Sequence, residues 1–315
     1  MDLNQKTVLV TGFNGFVGSH LTRAFLMNGM EVVGFSLKKK PLDIKFLSKK
    51  FHDFYGDIRD REKLELIFYK YRPVYCVHLA GKSTVEDGQK NPGDTFEINI
   101  KGAINILELA KKYRLARIVI ASTSHVYGAN PKPPFKEEFF PQPSRPYETS
   151  KTCVDLISQS YADTFNMPVE IPRFTNIYGP GDVNFSRLIP KVMKQIITGG
   201  KLHLWLGKTV RDYLYIGDAV AAYLSLLKKR NYHKNKIVNF GSGCHISVSS
   251  LVKKIIAVSG KKVLIKEETG KREMEIERQY LTVGKAKKIF NWQAETPLSE
   301  GLKISYRWYN SMLNP

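Results

Sequence analysis

The sequence predicts an α/β fold in which helices cover both faces of a doubly wound parallel sheet. Short β-rich segments alternate with longer helical periods from residue 7 onward, and a glycine-rich turn joins the first strand to the first helix. This alternation is typical of βαβ units, which form parallel sheets. Because the alternation weakens beyond residue 175, we predict a large domain over residues 1–175 and a smaller α/β lobe over residues 176–315.

The predicted elements follow one another in a regular order. The apolar run from Thr7 to Val10 predicts the first strand, and the segment from Val17 to Met27 predicts the first helix. Further strands are predicted at EVVGFS, VYCVHLA, ARIVIAS and PVEIPRF, with a long helix at TFEINIKGAINILELAKKY. After Phe174 the pattern is less regular, with a turn at YGPGD and one more helix candidate at RLIPKVMKQIITGG.

Composition narrows the class of protein. The 315 residues contain no apolar run near the roughly 20 residues that span a bilayer, so we expect no membrane span. The first strand begins too early to leave room for an export signal, so we expect a cytoplasmic location. Cys76, Cys153 and Cys244 lack paired metal-ligand spacing, and we expect neither disulfides nor a metal site. The net charge of +20 admits several anionic partners, but a solvated basic surface is the commoner explanation.

The stretch TGFNGFVG marks the turn between the first strand and the first helix. Its glycines, Gly12, Gly15 and Gly18, permit a tight turn, close approach of backbone to a pyrophosphate and close packing of helix on strand. The helix N-terminus then offers N–H donors and a positive dipole to a phosphate. The spacing differs from the commoner G-x-G-x-x-G, and a plain strand-to-helix turn is the alternative.

A tyrosine and a lysine in PYETSK form a candidate catalytic pair. Tyr147 and Lys151 stand four residues apart and share one face of a helix. A tyrosine with its ordinary pKa of about 10 is a poor base at neutral pH, whereas a neighbouring ammonium favours the phenolate. Upstream, ASTSHVYG follows the strand ARIVI and places the hydroxyls of Ser122, Thr123 and Ser124 at a strand end, where open α/β sheets bind ligands.

In this order the segments resemble the extended short-chain dehydrogenase/reductase family, especially its nucleotide-sugar epimerases, dehydratases and reductases. TGFNGFVGSHL is similar to the family's T-G-x-x-G-x-x-G cofactor loop, GDIRD to its adenine-contacting segment and HLAG to its H-L-A-A loop. INIKGAINIL carries its buttressing asparagine, RFTNIYGPGD resembles R-x-x-N-V-Y-G-P-G, and VRDYLYIGDAV resembles R-D-Y-x-x-V-D-D. The resemblance covers nearly the whole chain and implies a Rossmann-type doubly wound sheet with a smaller C-terminal substrate-binding α/β lobe.

The resemblance also implies roles for individual residues. In the implied catalytic set, Tyr147 exchanges a proton with a sugar hydroxyl, Thr123 hydrogen-bonds the same oxygen, and Lys151 holds the nicotinamide ribose and lowers the tyrosine pKa. Hydride then moves between a sugar carbon, usually C4, and the nicotinamide. The implied cofactor contacts are Gly12, Phe13, Asn14, Gly15, Phe16, Val17, Gly18, Ser36, Lys38, Asp57, Ile58, Leu79, Ala80, Gly81, Asn99, Tyr147, Lys151 and Phe174. The implied substrate contacts are Ser124, His125, Asn176, Arg187, Arg211, Arg272 and Glu275.

Several of these roles have structural alternatives. A capped turn is the alternative for Asn176, a surface ion pair for Arg211 and a buried structural histidine for His125. At the end of the second strand, NAD-using relatives usually carry an acidic residue, whereas this chain has Ser36 followed by three lysines. Cations and a hydroxyl attract a 2′-phosphate, so the sequence favours NADP(H) over NAD(H), with a solvated lysine loop as the alternative.

Two further segments bear on the substrate. KREMEIERQYL and ASTSHVYG resemble segments of GDP-mannose 4,6-dehydratases and related reductases, although His125 stands where those dehydratases have a glutamate. IYGPGDVNFSRLIP is nearer to CDP-glucose dehydratase-like relatives, so GDP- and CDP-linked sugars both stay open. We expect a nucleotide-sugar substrate, a homodimer and no nucleic-acid partner.

Three functions are open from the sequence. The leading one is hydride transfer at C4 by a 4-keto-6-deoxyhexose reductase or a C4 epimerase. Elimination of water needs a base and an acid, and the resemblance implies that dehydratases supply carboxylates where this chain has Ser124 and His125. If the cofactor is NADP(H), a reductase leads, because it consumes reduced cofactor from solution. A 4,6-dehydratase of the GDP-mannose or CDP-glucose type is second, with His125 as its base. The third is a binding protein without chemistry, whose charge contacts RNA.

Overall fold

The computed structural model describes residues 3–40, 49–204, 209–228, 236–267 and 276–314. Its strands are β1 (Thr7–Thr11), β2 (Glu31–Ser36), β3 (Phe51–Tyr55), β4 (Tyr75–His78), β5 (Arg117–Ile120), β6 (Ser122–Thr123), β7 (Val169–Phe174), β8 (Asn176–Tyr178), β9 (Leu202–Leu204), β10 (Val210–Tyr215), β11 (Ile237–Phe240), β12 (His245–Ser247), β13 (Ile265–Glu267) and β14 (Arg278–Gln279). Its α-helices are α1 (Phe16–Met27), α2 (Arg61–Tyr71), α3 (Val85–Lys90), α4 (Pro92–Phe96), α5 (Gly102–Lys112), α6 (Pro146–Thr164), α7 (Leu188–Ile197), α8 (Ile216–Lys228), α9 (Val248–Ser259), α10 (Gly284–Phe290) and α11 (Leu298–Leu313).

An eight-stranded parallel sheet forms the larger part of the molecule. Its order is β3-β2-β1-β4-β5-β7-β11, and β6 pairs with β7 beside this path. The strand order reverses between β1 and β4, and in open sheets of this kind ligands bind outside the carboxyl ends of the strands at that point. The predicted doubly wound α/β fold is confirmed.

The core lies on both faces of this sheet. Val8 and Val10 of β1 pack into one hydrophobic cluster with α1 and α8, whereas Leu9 between them packs into another with α2 and α5. All three side chains are fully buried. Because both faces are covered, the strands read as continuous apolar runs without alternation, which is the pattern that predicted them.

The smaller lobe follows β7 but is not a simple continuation of the chain. Here β10 pairs with β8, β12 and β14, while β9 pairs with β13. Helices α7, α9 and α11 pack together around a separate apolar cluster. Between α7 and α9 the chain returns to the large sheet, where α8 packs on α1 and β11 pairs with β7. The division at residue 175 therefore stays a prediction. Within the described ranges, no helix is both long enough and apolar enough to cross a bilayer.

The predicted long helix before β5 is interrupted. Helices α4 and α5 are joined by a π-helical turn, Glu97–Lys101, at whose centre the buried side chain of Asn99 points away from the helix axis to other segments. π-Helical turns of this kind are frequent at functional sites. Apolar periodicity alone does not distinguish such a turn from a regular helix, because the apolar face continues through it.

The turn between β1 and α1 brings the first turn of the helix very close to the backbone that follows the strand. Gly12 has a left-handed φ of +73°, and a Cβ at Gly18 would lie 2.0 Å from the carbonyl oxygen of Gly12. The N-cap of α1 is Gly15, which has no side chain to cap the first N–H groups of the helix. Those donors are therefore left for a ligand.

This packing gives a stability prediction. Gly18→Ala places a methyl group against backbone, so we expect the free energy of unfolding to fall by about 1–3 kcal/mol in urea denaturation. The matched control is Gly284→Ala at the start of α10, where an added Cβ meets nothing within 4 Å. The control is expected to be unchanged or more stable by up to about 1 kcal/mol. Equal effects of the two substitutions would contradict the close approach.

Candidate active site

A cleft of about 1240 Å³ opens at the carboxyl ends of the large sheet and is closed on its other side by the smaller lobe. Most predicted site residues line it: Gly12, Asn14, Gly15, Phe16, Val17, Gly18, Ser36, Lys38, Asp57, Ile58, Leu79, Ala80, Gly81, Thr123, His125, Tyr147, Lys151, Phe174, Asn176, Arg187 and Arg211. Residues more than a hundred positions apart in sequence thus meet in one concavity.

Three of the described residues predicted for the site, Phe13, Asn99 and Ser124, do not line the cleft. Phe13 is buried beneath Gly34 of β2, and Asn99 and Ser124 are buried behind the cleft wall. Direct ligand contact by these three residues stays a prediction. Arg272 and Glu275 lie outside the described residues.

The floor of the cleft is tied together by Thr11, which the sequence analysis did not single out. Its hydroxyl accepts hydrogen bonds from the backbone N–H groups of Leu79 and Ala80, both at 3.2 Å. A further hydrogen bond of 2.8 Å joins it to Nδ1 of His78. Burial, together with the charge of Lys151, lowers the pKa of His78 to about 3, so this imidazole is neutral. Thr11 lies in TGFNGFVGSHL and His78 in HLAG, the segments that resemble the family's cofactor loops. This position in the sequence is the signal that could have identified the two residues.

Asn99 buttresses the helix that carries the candidate catalytic pair. Its side chain accepts a hydrogen bond from the N–H of Lys82 at 2.7 Å and donates one to the hydroxyl of Ser150 at 2.8 Å. The Ser150 hydroxyl in turn donates to the backbone oxygen of Tyr147 at 2.8 Å. The buried amide therefore fixes the loop after β4 and the first turn of α6 relative to each other.

Lys151 lines the cleft in a desolvated position. Its Nζ donates a hydrogen bond of 2.8 Å to the backbone oxygen of Ala121 at the end of β5. Burial lowers the pKa of Lys151 to about 8, against the opposing effect of the Asp155 carboxylate. The ammonium is thus fixed in place with little water around it, which strengthens its action on any nearby anion.

Tyr147 lies one helical turn before Lys151 and is 7% exposed. Burial raises its pKa, while the positive charge of Arg187 and a hydrogen bond with the Thr123 side chain act in the opposite direction. Arg187 is thus a cation that acts to lower the pKa of this phenol. The role of Lys151 in lowering this pKa, which the resemblance implies, stays a prediction.

The small-lobe side of the cleft carries the polar side chains predicted to meet a substrate. Arg187 pairs with Asp182 at 3.1 Å, and the Asn176 amide donates to the backbone oxygen of Asp212 at 3.4 Å. Nη1 of Arg211 donates to the backbone oxygens of Val210 and Glu277, at 3.0 and 3.2 Å. These backbone contacts hold Asn176 and Arg211 at the edge of the small lobe, on the cleft.

The opposite end of the cleft fits the adenosine half of a dinucleotide. The N–H of Asn14 donates to the Ser36 hydroxyl at 3.5 Å, and its side chain donates to the backbone oxygen of Lys38 at 2.7 Å. Nη2 of Arg59 donates a hydrogen bond of 2.7 Å to Oδ2 of Asp57. The hydrogen bonds and charge of Arg59 lower the pKa of Asp57, although partial burial acts to raise it. The glycine turn between these residues and Tyr147 leaves room and N–H donors for a pyrophosphate.

The chain is similar in sequence and in structure to nucleotide-sugar epimerases and dehydratases. The family model described as GDP-mannose 4,6 dehydratase matches residues 9–305. A putative UDP-glucose 4-epimerase from Methanocaldococcus jannaschii is 33% identical over 315 residues, covering 96% of this chain and 97% of that protein. The structure of a UDP-glucose 4-epimerase with UDP-glucose from Thermotoga maritima has a TM-score of 0.89 at 28% identity, covering 98% and 99% of the two chains. A dTDP-glucose 4,6-dehydratase from Bacillus anthracis in complex with NAD has a TM-score of 0.86 at 27% identity, covering 97% of each chain.

The action of Arg187 on the phenol gives a direct prediction. Arg187→Gln removes the positive charge, so the pKa of Tyr147 is expected to rise further and the phenolate to form at higher pH. The measurement is an ultraviolet phenolate titration, in which the difference from the same protein carrying Tyr147→Phe isolates this residue. Arg307→Gln on the exposed side of α11 is the control and should leave the Tyr147 midpoint unchanged. A midpoint that Arg187→Gln does not raise contradicts the assignment.

Proposed function

The chain belongs to the extended short-chain dehydrogenase/reductase family, in its group of nucleotide-sugar epimerases and dehydratases, and is an enzyme of that family. From this premise we propose that it transfers a hydride between C4 of a nucleotide sugar and a nicotinamide cofactor. One observation carries the proposal: Thr123, Tyr147 and Lys151 lie together at the cleft, with Tyr147 and Lys151 desolvated and Thr123 hydrogen-bonded to Tyr147.

Each member of this set has a task that its surroundings support. Tyr147 exchanges a proton with the sugar hydroxyl at C4, and Thr123 hydrogen-bonds the same oxygen. Lys151 holds the ribose next to the nicotinamide, since its ammonium is fixed between the end of β5 and α6. The bound nicotinamide supplies the hydride acceptor or donor. Water is kept from the phenol by its near-complete burial, which protects the transient ketone.

The cofactor is a nicotinamide dinucleotide, and the Bacillus anthracis relative is in complex with NAD. For this chain we propose a preference for NADP(H). Ser36, Lys38 and Lys40 line the end of the cleft that follows β2, and residues 36–40 contain no carboxylate that would repel a 2′-phosphate. The hydroxyl of Ser36 faces the Asn14 N–H of the glycine turn, where the adenosine ribose of a dinucleotide lies in folds of this type.

Two reactions need only hydride transfer at C4 and no acid–base group beyond Thr123, Tyr147 and Lys151. The Thermotoga maritima relative and the Methanocaldococcus jannaschii relative are named as UDP-glucose 4-epimerases, which favours C4 epimerisation and adds UDP-linked sugars to the GDP- and CDP-linked candidates. A reductase of 4-keto-6-deoxyhexoses is favoured instead if reduced NADP(H) is the working cofactor. Homodimer formation and a cytoplasmic location remain predictions.

A 4,6-dehydratase is the second candidate, and a specific observation favours it. His125 lines the cleft with its ring centroid 5.9 Å from that of Tyr147, close enough for both side chains to contact one sugar. Elimination of water needs an acid–base group beside the one that serves C4. The Bacillus anthracis relative is a dehydratase.

A panel assay distinguishes these reactions. UDP-, GDP-, CDP- and dTDP-hexoses are offered with oxidised cofactor, and the corresponding 4-keto-6-deoxyhexoses with reduced cofactor. Product mass and nicotinamide absorbance are followed. We expect a C4 epimer of unchanged mass, or stoichiometric oxidation of reduced cofactor by a 4-keto sugar. A product lighter by one water identifies the dehydratase, and binding of nucleotide sugars without any turnover would contradict an enzyme.

Removing the phenolic hydroxyl tests the catalytic assignment. Tyr147→Phe keeps the ring but deletes the proton-transfer group, so turnover should fall by about 10²-fold or more, with cofactor affinity retained. Cofactor affinity is measured by fluorescence titration. The matched control is Tyr161→Phe, which lies on the same helix but pairs with Glu108 away from the cleft. Near-normal turnover in the Tyr147 variant would refute its role.

The cofactor preference is tested at the end of β2. Ser36→Asp introduces a carboxylate that repels a 2′-phosphate, so the unmodified enzyme should bind NADP(H) more tightly and the variant NAD(H). Lys38→Ala should weaken NADP(H) alone, whereas Lys39→Ala, whose side chain does not line the cleft, should have little effect. An NAD(H) preference in the unmodified enzyme would show that the lysines serve only the solvated surface.

A further inference from the structure

A tight turn after β8 connects the two sides of the cleft. It runs from Gly179 to Asp182 and leads towards α7 of the small lobe. Gly181 has a left-handed φ of +88°, and a Cβ there would lie 3.3 Å from Nε2 of His20 on α1. The turn is therefore packed directly against the helix that begins at the glycine-rich loop.

His20 fixes this turn to α1 by a hydrogen bond. Its Nε2 lies 2.8 Å from the backbone oxygen of Pro180. Burial lowers the pKa of His20, against the opposing effect of that hydrogen bond, and the charge of Arg23 lowers it further, so the imidazole is neutral at neutral pH. Because a carbonyl oxygen only accepts, Nε2 carries the proton and donates it to the bond with Pro180. The ring also packs edge-on against Phe16 of the cleft wall, with ring centroids 5.9 Å apart.

Asp182, the last residue of the turn, holds the side chain of Arg187. Its Oδ2 accepts a hydrogen bond of 3.1 Å from Nη1 of Arg187, and its Oδ1 accepts one of 3.2 Å from the N–H of Asn184. Asp182 is buried, whereas the Arg187 side chain is 34% exposed and lines the cleft. The ion pair thus has its carboxylate inside the small lobe and its guanidinium at the site.

The backbone on both sides of this ion pair is fixed as well. The N–H of Asp182 donates to the backbone oxygen of Gly179 at 3.4 Å, and the buried hydroxyl of Tyr309 on α11 donates to the backbone oxygen of Asp182. Arg187 is the N-cap of α7, and its backbone oxygen accepts a hydrogen bond of 3.0 Å from Lys191. With the backbone fixed, the contact with Asp182 determines the direction of the Arg187 side chain.

We propose that His20 and Asp182 are positioning residues, which hold the guanidinium of Arg187 at the place in the cleft where its charge acts on the Tyr147 phenol. His20 fixes the turn to α1, and Asp182 directs the Arg187 side chain from that turn into the cleft that Tyr147 also lines. The inference rests on the proposed function in one respect, which is that Tyr147 exchanges a proton with the substrate. Position matters because the action of a charge depends on its distance.

The groups that act on the phenol come from several elements. Burial raises the pKa of Tyr147 most, and the neighbouring Glu148 on α6 also raises it, whereas Arg187 and a hydrogen bond with the Thr123 side chain lower it. The other titratable side chains near it on the cleft wall are His125, Arg145 and Lys151. Arg187 is the cation that the small lobe contributes, so displacing its guanidinium favours the neutral phenol.

Two substitutions at His20 separate its hydrogen bond from the packing of its ring. His20→Leu removes the donor, whereas His20→Gln supplies an amide donor in place of Nε2. The pKa of Tyr147 is read in the full chain by NMR of ¹³C-labelled tyrosine, and its signal is the one lost in Tyr147→Phe. We expect the midpoint to rise in His20→Leu and to return to the unmodified value in His20→Gln. His52→Leu, at another part-buried histidine that bonds through Nε2, is the matched control and should leave it unchanged.

The sign of the change in Asp182→Asn shows whether this residue acts through Arg187. If the carboxylate acted directly on the phenol, its neutralisation would lower the pKa of Tyr147. If it holds Arg187 in place, its loss releases the guanidinium, so we expect the pKa of Tyr147 to rise. Adding Asp182→Asn to Arg187→Gln should then change nothing further. Asp218→Asn, at a buried carboxylate of α8 that accepts two backbone N–H groups, is the control and should have no effect.

Turnover of the sugar that the panel assay identifies gives a second measurement. In the oxidising direction Tyr147 acts as the base, so a higher pKa moves the acid limb of the turnover profile to higher pH. We expect a loss of about 10-fold near neutral pH in His20→Leu and in Asp182→Asn, with turnover recovered on the alkaline side of the profile. A loss that is equal at every pH would mark a general structural defect and contradict the positioning role.

Three results of the titration would overturn the inference. They are unchanged midpoints in His20→Leu and Asp182→Asn, a lower midpoint in Asp182→Asn, and a midpoint in His20→Gln that is raised as far as in His20→Leu. Because the titration needs no substrate, an absence of turnover with every sugar of the panel would refute the proposed function and leave the positioning of Arg187 standing.

Discussion

The close approach of α1 to the turn after β1 determines where the site can form. A Cβ at Gly18 would lie 2.0 Å from the carbonyl oxygen of Gly12, and a Cβ at Gly12 would lie 3.0 Å from the N–H nitrogen of Ala80. Only glycine fits at both places, so the helix N-terminus and the loop after β4 converge on one turn. The Thr11 hydroxyl joins that loop to β1, so the N-terminus of α1 and the loop after β4 both take their positions at the cleft from this junction.

Helix α6 is the second fixed element, and buried polar groups determine its position. Asp155 accepts two hydrogen bonds of 2.9 Å from Arg173 of β7 and one of 2.7 Å from the Ser122 hydroxyl. Buried ion pairs contribute little net stability, because desolvation offsets their attraction. Their geometric demands are strict, however, and this pair anchors the helix one turn after Lys151. The desolvation that lowers the pKa of Lys151 follows from the same packing.

Local patterns made the fold, and the residues that line the cleft, predictable from the sequence. A sheet covered on both faces has strands that are continuous apolar runs, and the turn after β1 is marked by three glycines. The candidate catalytic pair is marked by a tyrosine and a lysine on one helix face, and its catalytic role stays a prediction. The ion pairs that Glu148 makes with His125 at 3.4 Å and with Arg145 at 2.6 Å could not be predicted in this way, because the first depends on the packing of the turn after β6 against α6. The return of α8 and β11 to the large sheet likewise depends on tertiary packing, and Phe13 is core because Gly34 makes room for its ring.

The account rests on hydride transfer between C4 of a sugar beside Tyr147 and a nicotinamide, and an isotopic single turnover in the oxidising direction tests it most directly. A nucleotide hexose carrying deuterium at C4 is mixed with the enzyme and oxidised cofactor. The account predicts that nicotinamide absorbance develops more slowly than with the unlabelled sugar and that the deuterium is recovered on the nicotinamide or back at C4 in the epimer. Equal rates with the deuterium transferred to neither, or turnover of the sugar with no change in the nicotinamide, would contradict it.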